Sequence, residues 1–252
     1  MPKIPIALQM YTLRDDTAQD FAGTIKKVAA IGYAGVELAG RGSLSVQELS
    51  SLLSDNHLSM AGSHISLDEL AADLPKIIQE NLALGNRNIV VPYLPEERRR
   101  TADDYKKVAE DLNKYGETLR SAGLSLAYHN HDFEFKPLDN GQMGEDIILE
   151  NTDPALVKIE VDTYWVLKAG QDPVAFIKKH SGRVPLIHLK DMDPADDSFA
   201  PVGTGRLPLD ALVAAATEVG AEYLIVEQDV CKGPAIEAVT LSYNNLKAKG
   251  YA

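Results

Sequence analysis

The chain has 252 residues and a formal net charge of -12, with 45% hydrophobic and 25% charged residues, which suits a globular protein able to bury a large core. Its acidic balance opposes attraction to phosphate backbones or anionic membrane surfaces, and Cys231, its one cysteine, excludes an intrachain disulfide framework. No apolar run approaches the roughly 20 residues that span a bilayer, and Met1–Ile6 is too short and interrupted for a signal peptide. The expectation is a cytoplasmic protein with no nucleic-acid or membrane partner.

Strand and helix patterns then alternate along the chain. Ile4–Met10 reads as a first strand and Phe21–Ile31 as a helix that stops before Gly32. Gly35–Leu38 and Val46–Leu53 form the next pair, then Ser59–Ile65 and Leu67–Leu84. Asn88–Val91 is a fourth strand, and Thr101–Ala122 a long amphipathic helix with Gly123 just past its end. A fifth strand starts at Leu124, and a short helix covers Gly144–Glu150. Val157–Asp162, Pro173–His180, Val184–His188, Leu209–Val219, Tyr223–Glu227 and Pro234–Lys249 complete the alternation.

Eight strand–helix units at about 30 residues each predict a (β/α)8 barrel, the α/β class known as a TIM barrel. No Gly/Ser linker or composition shift divides the chain, so 1–252 reads as a single domain. An open doubly wound sheet is the alternative. It would want a glycine-rich phosphate loop after its first strand, whereas Met10–Asp16 contains no glycine.

Barrels collect chemistry at the C-terminal ends of their strands. Here those ends carry Gln9, Glu37, His64, the run His129-Asn130-His131-Asp132-Phe133-Glu134, Asp162, His188 with Lys190, and Glu227 with Asp229. One strand-end carboxylate is usually a helix cap. Several at one mouth are costly without a cation. Glu134, Asp162, His188 and Glu227 together form an oxygen-rich set for a divalent ion, Mn²⁺ or Mg²⁺ before Co²⁺ or Zn²⁺. Gln9, Glu37, His64, Trp165 and Lys190 are candidate substrate contacts, although His64 and Trp165 read equally well as core. Glu160 lies two residues before Asp162 and so shares its face. It needs a cationic partner, for which Lys190 is the candidate. Arg206, in Gly203-Thr204-Gly205-Arg206, reads as part of a surface loop, with an anion contact as the alternative.

The segments His129–Glu134, Glu160–Trp165, His188–Asp191 and Val226–Asp229, with Leu8–Asp15 and Gly35–Glu37, resemble the sugar phosphate isomerase/epimerase family of xylose-isomerase-like TIM barrels. The likeness runs over nearly the whole chain. It implies a metal-dependent enzyme that removes a proton beside a sugar carbonyl. Asp162, His188 and Glu227 match the family's ligand positions. At the fifth strand the family's Glu is displaced. The resemblance implies Glu134 as ligand with His131 as acid/base, or His131 as ligand with Glu134 behind it. Glu227, with His131 or Glu134, would then move the proton.

Isomerase or epimerase chemistry on a small sugar is the first expectation. A lyase, dehydratase or keto-glycoside-cleaving enzyme on the same barrel is the alternative, and an inactive sugar-binding protein is a weaker one. An abasic-site nuclease would want a basic groove, against the -12 charge. The partner is a small-molecule sugar without an evident phosphate. Homo-oligomerisation is left open.

Overall fold

In the computed structural model, which describes residues 3–252, eight parallel strands close into a barrel. They are Ile6–Gln9, Gly35–Leu38, Ser59–His64, Asn88–Val91, Ser125–His129, Val157–Asp162, Leu186–Leu189 and Tyr223–Val226. Each pairs with its successor except the eighth, which pairs with both the seventh and the first. The expected strands are all present, with ends moved by one or two residues.

Side-chain alternation along each strand separates two cores. Outward residues such as Leu8, Val36, Val161, Ile187 and Val226 pack under the helices, as do Leu126 and Tyr128 of the fifth strand. Inward residues Ala7, Ala61, Val90, Ala127, Leu186 and Ile225 fill the barrel. The next inward position on most of these strands is polar: Gln9, His129, His188 and Glu227. A small apolar floor therefore carries a polar layer at the C-terminal mouth.

The third strand carries one irregularity. Val36 pairs with Met60, but Glu37 pairs with Gly62, so the register shifts there. A bulge of this kind re-aims a side chain beside a site. Gly62 lies against Glu37, and any Cβ there would strike Glu37 Oε1.

Helices Val46–Asp55, Leu67–Ala83 and Ala102–Ser121 start at Ser45, Ser66 and Thr101, each with a reciprocal capping box. The Leu67–Ala83 helix breaks at Asp73, two residues before Pro75, which cannot donate a backbone hydrogen bond. Two short helices, Arg14–Gln19 and Thr163–Lys168, lie in connections to which the sequence assigned no element. So does a small antiparallel pair, Asp191–Met192 with Phe199–Ala200. Among the described residues no helix is long and apolar enough to cross a membrane.

Candidate metal centre

Four donors meet at the barrel mouth: His129, Asp162, His188 and Glu227. All are buried. His129 ends the fifth strand and points inward two residues after Ala127. His129 Nε2 lies 3.6 Å from Asp162 Oδ2, and His188 Nδ1 lies 2.9 Å from Glu227 Oε2. Asp162 also caps the Thr163–Lys168 helix, its Oδ1 accepting from the N–H groups of Tyr164 and Trp165 at 2.9 and 3.1 Å. Its Oδ2 is buried and accepts no hydrogen bond.

Glu134 does not join this group, contrary to expectation. Tyr128 points outward, and the turn Phe133–Phe135 folds Glu134 back beside it. The Tyr128 hydroxyl donates to Glu134 Oε1. The backbone N–H of His131 donates to Oε2 at 2.8 Å. Burial pushes this carboxyl up to about 7. Glu134 is therefore a buried anchor on the helix side of the strand, outside both the donor group and the cavity lining. His131 is not a donor in the group either. The fifth-strand place belongs to His129, two residues earlier. In/out parity could have found it, because outward Tyr128 makes His129 the inward strand end.

Lys190 Nζ sits 2.8 Å from Asp229, 3.0 Å from Glu227 and 3.3 Å from Asp162. Burial alone would lower its pKa, but the charges of Asp162, Glu227 and Asp229 outweigh this and raise it. It does not pair with Glu160, as sequence reading expected. Glu160 is instead surrounded by His129, His64 and His188 at 2.8, 3.0 and 3.1 Å.

Above the donors opens a cavity of about 690 Å³ lined by His64, His129, His131, Lys190, Glu227 and Asp229 among others. Tyr11 and Tyr93, both well exposed, form part of its rim. Of the five expected substrate contacts, only His64 and Lys190 reach this cavity. Gln9 and Glu37 are buried and do not line the cavity, and a 2.8 Å hydrogen bond joins them. Trp165 stands behind His131, its ring centroid 5.3 Å from the imidazole. Arg206 is turned to Asp197 and to the Met192 sulfur. Its loop is tied down by Asp191, which accepts from the N–H groups of Met192, Gly203, Gly205 and Leu207.

The donor set fits a divalent cation. It offers two imidazoles and two carboxylates within one small volume, and Asp162 Oδ2 there accepts no hydrogen bond, with the Lys190 ammonium 3.3 Å away as its cationic neighbour.

The chain is similar to known proteins. The chain is 32% identical to an inosose dehydratase of Clostridium tetani over 104 residues, covering 40% of this chain and 33% of that enzyme. It is 25% identical to the inosose dehydratase of Clostridium botulinum over 197 residues, covering 69% of this chain and 64% of the other. The chain thus matches about a third of the first relative's length and somewhat under two thirds of the second's. A crystal structure of a sugar phosphate isomerase/epimerase from Parabacteroides distasonis superposes with a TM-score of 0.82 at 28% identity, covering 99% of this chain and 96% of that one. The model of the xylose isomerase-like TIM barrel matches residues 25–239, and the chain belongs to that family.

Proposed function

We propose that the protein is a divalent-metal-dependent dehydratase acting on an uncharged keto-polyol of the inosose type. The observation that carries this reading is the outward turn of Glu134. In the resemblance drawn from sequence, epimerases of this family use two glutamates. Here Glu134 does not reach the cavity; of the two glutamates that line it, Glu69 is held in the Ser66 capping box and Glu227 belongs to the donor group, accompanied by the His131 imidazole and the Lys190 ammonium. That unequal set suits elimination, in which one group takes a carbon-bound proton and a different group protonates the departing hydroxyl. The inosose dehydratase relatives support the same branch. The P. distasonis neighbour favours a second reading, isomerisation or epimerisation, which shares the first proton abstraction.

His129, Asp162, His188 and Glu227 would hold the ion, which supplies polarisation of the substrate carbonyl. With two imidazoles in place of one, the set is less oxygen-rich than the sequence suggested. It suits Mn²⁺, Co²⁺ or Zn²⁺ better than Mg²⁺. Burial pushes His131 down to about 3, with the Lys190 charge adding to the effect, so its ring is neutral and can accept a proton. Lys190 stays charged and donates hydrogen bonds to substrate oxygens. Loss of a carbon-bound proton and of the β-hydroxyl removes one water overall. The other cations near the mouth are engaged: His64 by Glu37 and Glu160, Arg14 by the Tyr11 carbonyl.

Incubating the Mn²⁺-loaded protein with a cyclic keto-polyol tests the reading by proton NMR. The expected product has lost water and carries an enone or diketone. Stereoisomers of the starting mass would favour the epimerase reading instead.

Protons compete with the ion. Burial pushes Asp162 up to about 6. Burial would lower His188, but the charges of Glu160, Glu37 and Glu227 raise it well above the usual histidine range. An ion must displace the His188 proton throughout, and that of Asp162 as well below pH 6. Apparent Mn²⁺ affinity should therefore fall about tenfold per pH unit down to pH 6 and about a hundredfold per unit below it. Titration calorimetry between pH 5 and 8 checks this. An affinity independent of pH would show that other groups hold the ion.

A further inference from the structure

Two carboxylates inside the barrel belong to no donor position in the upper group and do not line the cavity. Glu37 and Glu160 are fully buried beneath it. Glu160 Oε2 lies 2.8 Å from His129 Nδ1 and 3.1 Å from His188 Nε2. Glu37 Oε2 lies 2.7 Å from His188 Nε2 and accepts from Gln9 Nε2 at 2.8 Å. The opposite ring nitrogens face the donor group: His129 Nε2 toward Asp162, His188 Nδ1 toward Glu227.

An ionised carboxylate only accepts hydrogen bonds, so a ring nitrogen that meets it must carry the proton. A ring held this way offers its other nitrogen to a metal, directly at His129 Nε2 and at His188 Nδ1 once an ion displaces the proton shared there with Glu227, and the partner fixes the ring orientation. The bulge at Glu37 and the bare Cα of Gly62 give the Glu37 carboxylate the room it occupies.

We propose that Glu37 and Glu160 are positioning residues that present His129 through Nε2 and His188 through Nδ1 to a divalent ion above them. This rests on the cation reading of the upper group. A second grouping, His64, His129, Glu160 and His188, lies lower in the barrel. It shares the same two rings, but there they face Glu160 with the nitrogens that carry protons. The clamp therefore directs the ion to the upper position.

Glu37→Gln and Glu160→Gln keep the side-chain volume and remove the obligate acceptor. Mn²⁺ titration calorimetry should show each variant binding about 10- to 100-fold more weakly than wild type, with unchanged far-UV circular dichroism. In metal-free wild type labelled with ¹⁵N-histidine, long-range ¹H–¹⁵N spectra should show His129 protonated at Nδ1 and bare at Nε2. Glu160→Gln should lose that preference. Mn²⁺ affinities within twofold of wild type in both variants would overturn the proposal, as would wild-type His129 protonated at Nε2. If wild type binds no Mn²⁺, the cation reading falls. The histidine spectra then decide the clamp alone, and they do so even where a variant does not fold.

Discussion

Asp162→Asn should leave a folded barrel that no longer holds a divalent ion. The two oxygens of Asp162 have separate tasks. Oδ1 caps the Thr163–Lys168 helix by accepting from Tyr164 and Trp165. Oδ2 faces the donor group without a hydrogen bond of its own. Asparagine caps a helix about as well as aspartate, so the first task survives. The second does not, because an amide removes the negative charge that an ion requires. Metal analysis should fall from about one ion per chain to background, given the loss of one of four ligands. Turnover should fall about 10³-fold or more, since an ion supplies several kcal/mol to the developing negative charge. Asp162→Ala adds loss of the cap, about 1 kcal/mol, which calorimetry would read as a further drop of about 2–4 °C in Tm. An Asp162→Asn protein that keeps both ion and turnover would show that the mouth carboxylates serve the fold alone.

The barrel was legible because its signals are local and repeated. Each strand is a short apolar run, and several of the helices open on a Ser or Thr cap or end just before a Gly, as at Ser45, Ser66, Thr101 and Gly123. Three members of the donor group, Asp162, His188 and Glu227, could be read because each lies at or just past a strand end and points inward by simple alternation. The fourth was misplaced because the fifth strand runs straight into His129-Asn130-His131-Asp132-Phe133-Glu134, where four consecutive-looking candidates compete. Strand parity favours His129 there, but where Glu134 goes is decided by a tertiary partner: the Tyr128 hydroxyl draws it to the helix side. The lower layer was equally hidden. Glu160 looked like a group in need of a lysine, and Glu37 like a substrate contact. The rings they meet come from strands up to 151 residues away, and sequence spacing carries no trace of such a contact.

His131→Asn should lower turnover about 10²- to 10⁴-fold, the usual contribution of a positioned proton-transfer group, while leaving the ion in place. His131 belongs to neither donor grouping, so metal content should match wild type. Its ring is held by aromatic neighbours: it stacks on Phe133 with centroids 5.4 Å apart, and Tyr93 meets it edge-on at 5.5 Å. Its Nδ1 is buried without a partner. Burial, reinforced by the charge of Lys190, depresses the ring to about 3. The sign of this shift has a kinetic consequence. A histidine depressed that far is already neutral across the working range, so it sets no limb between pH 5 and 8. The acid limb belongs to loss of the ion, as protons compete for Asp162 and the other donors. His131→Asn should therefore drop the plateau and leave the acid limb where it stands. If the limb vanishes with the imidazole, His131 titrates near neutrality and its hydrophobic cage does not isolate it. If metal content falls with turnover, His131 supports the donor group and the proton carrier must be sought among Lys190 and Glu227, which line the same cavity.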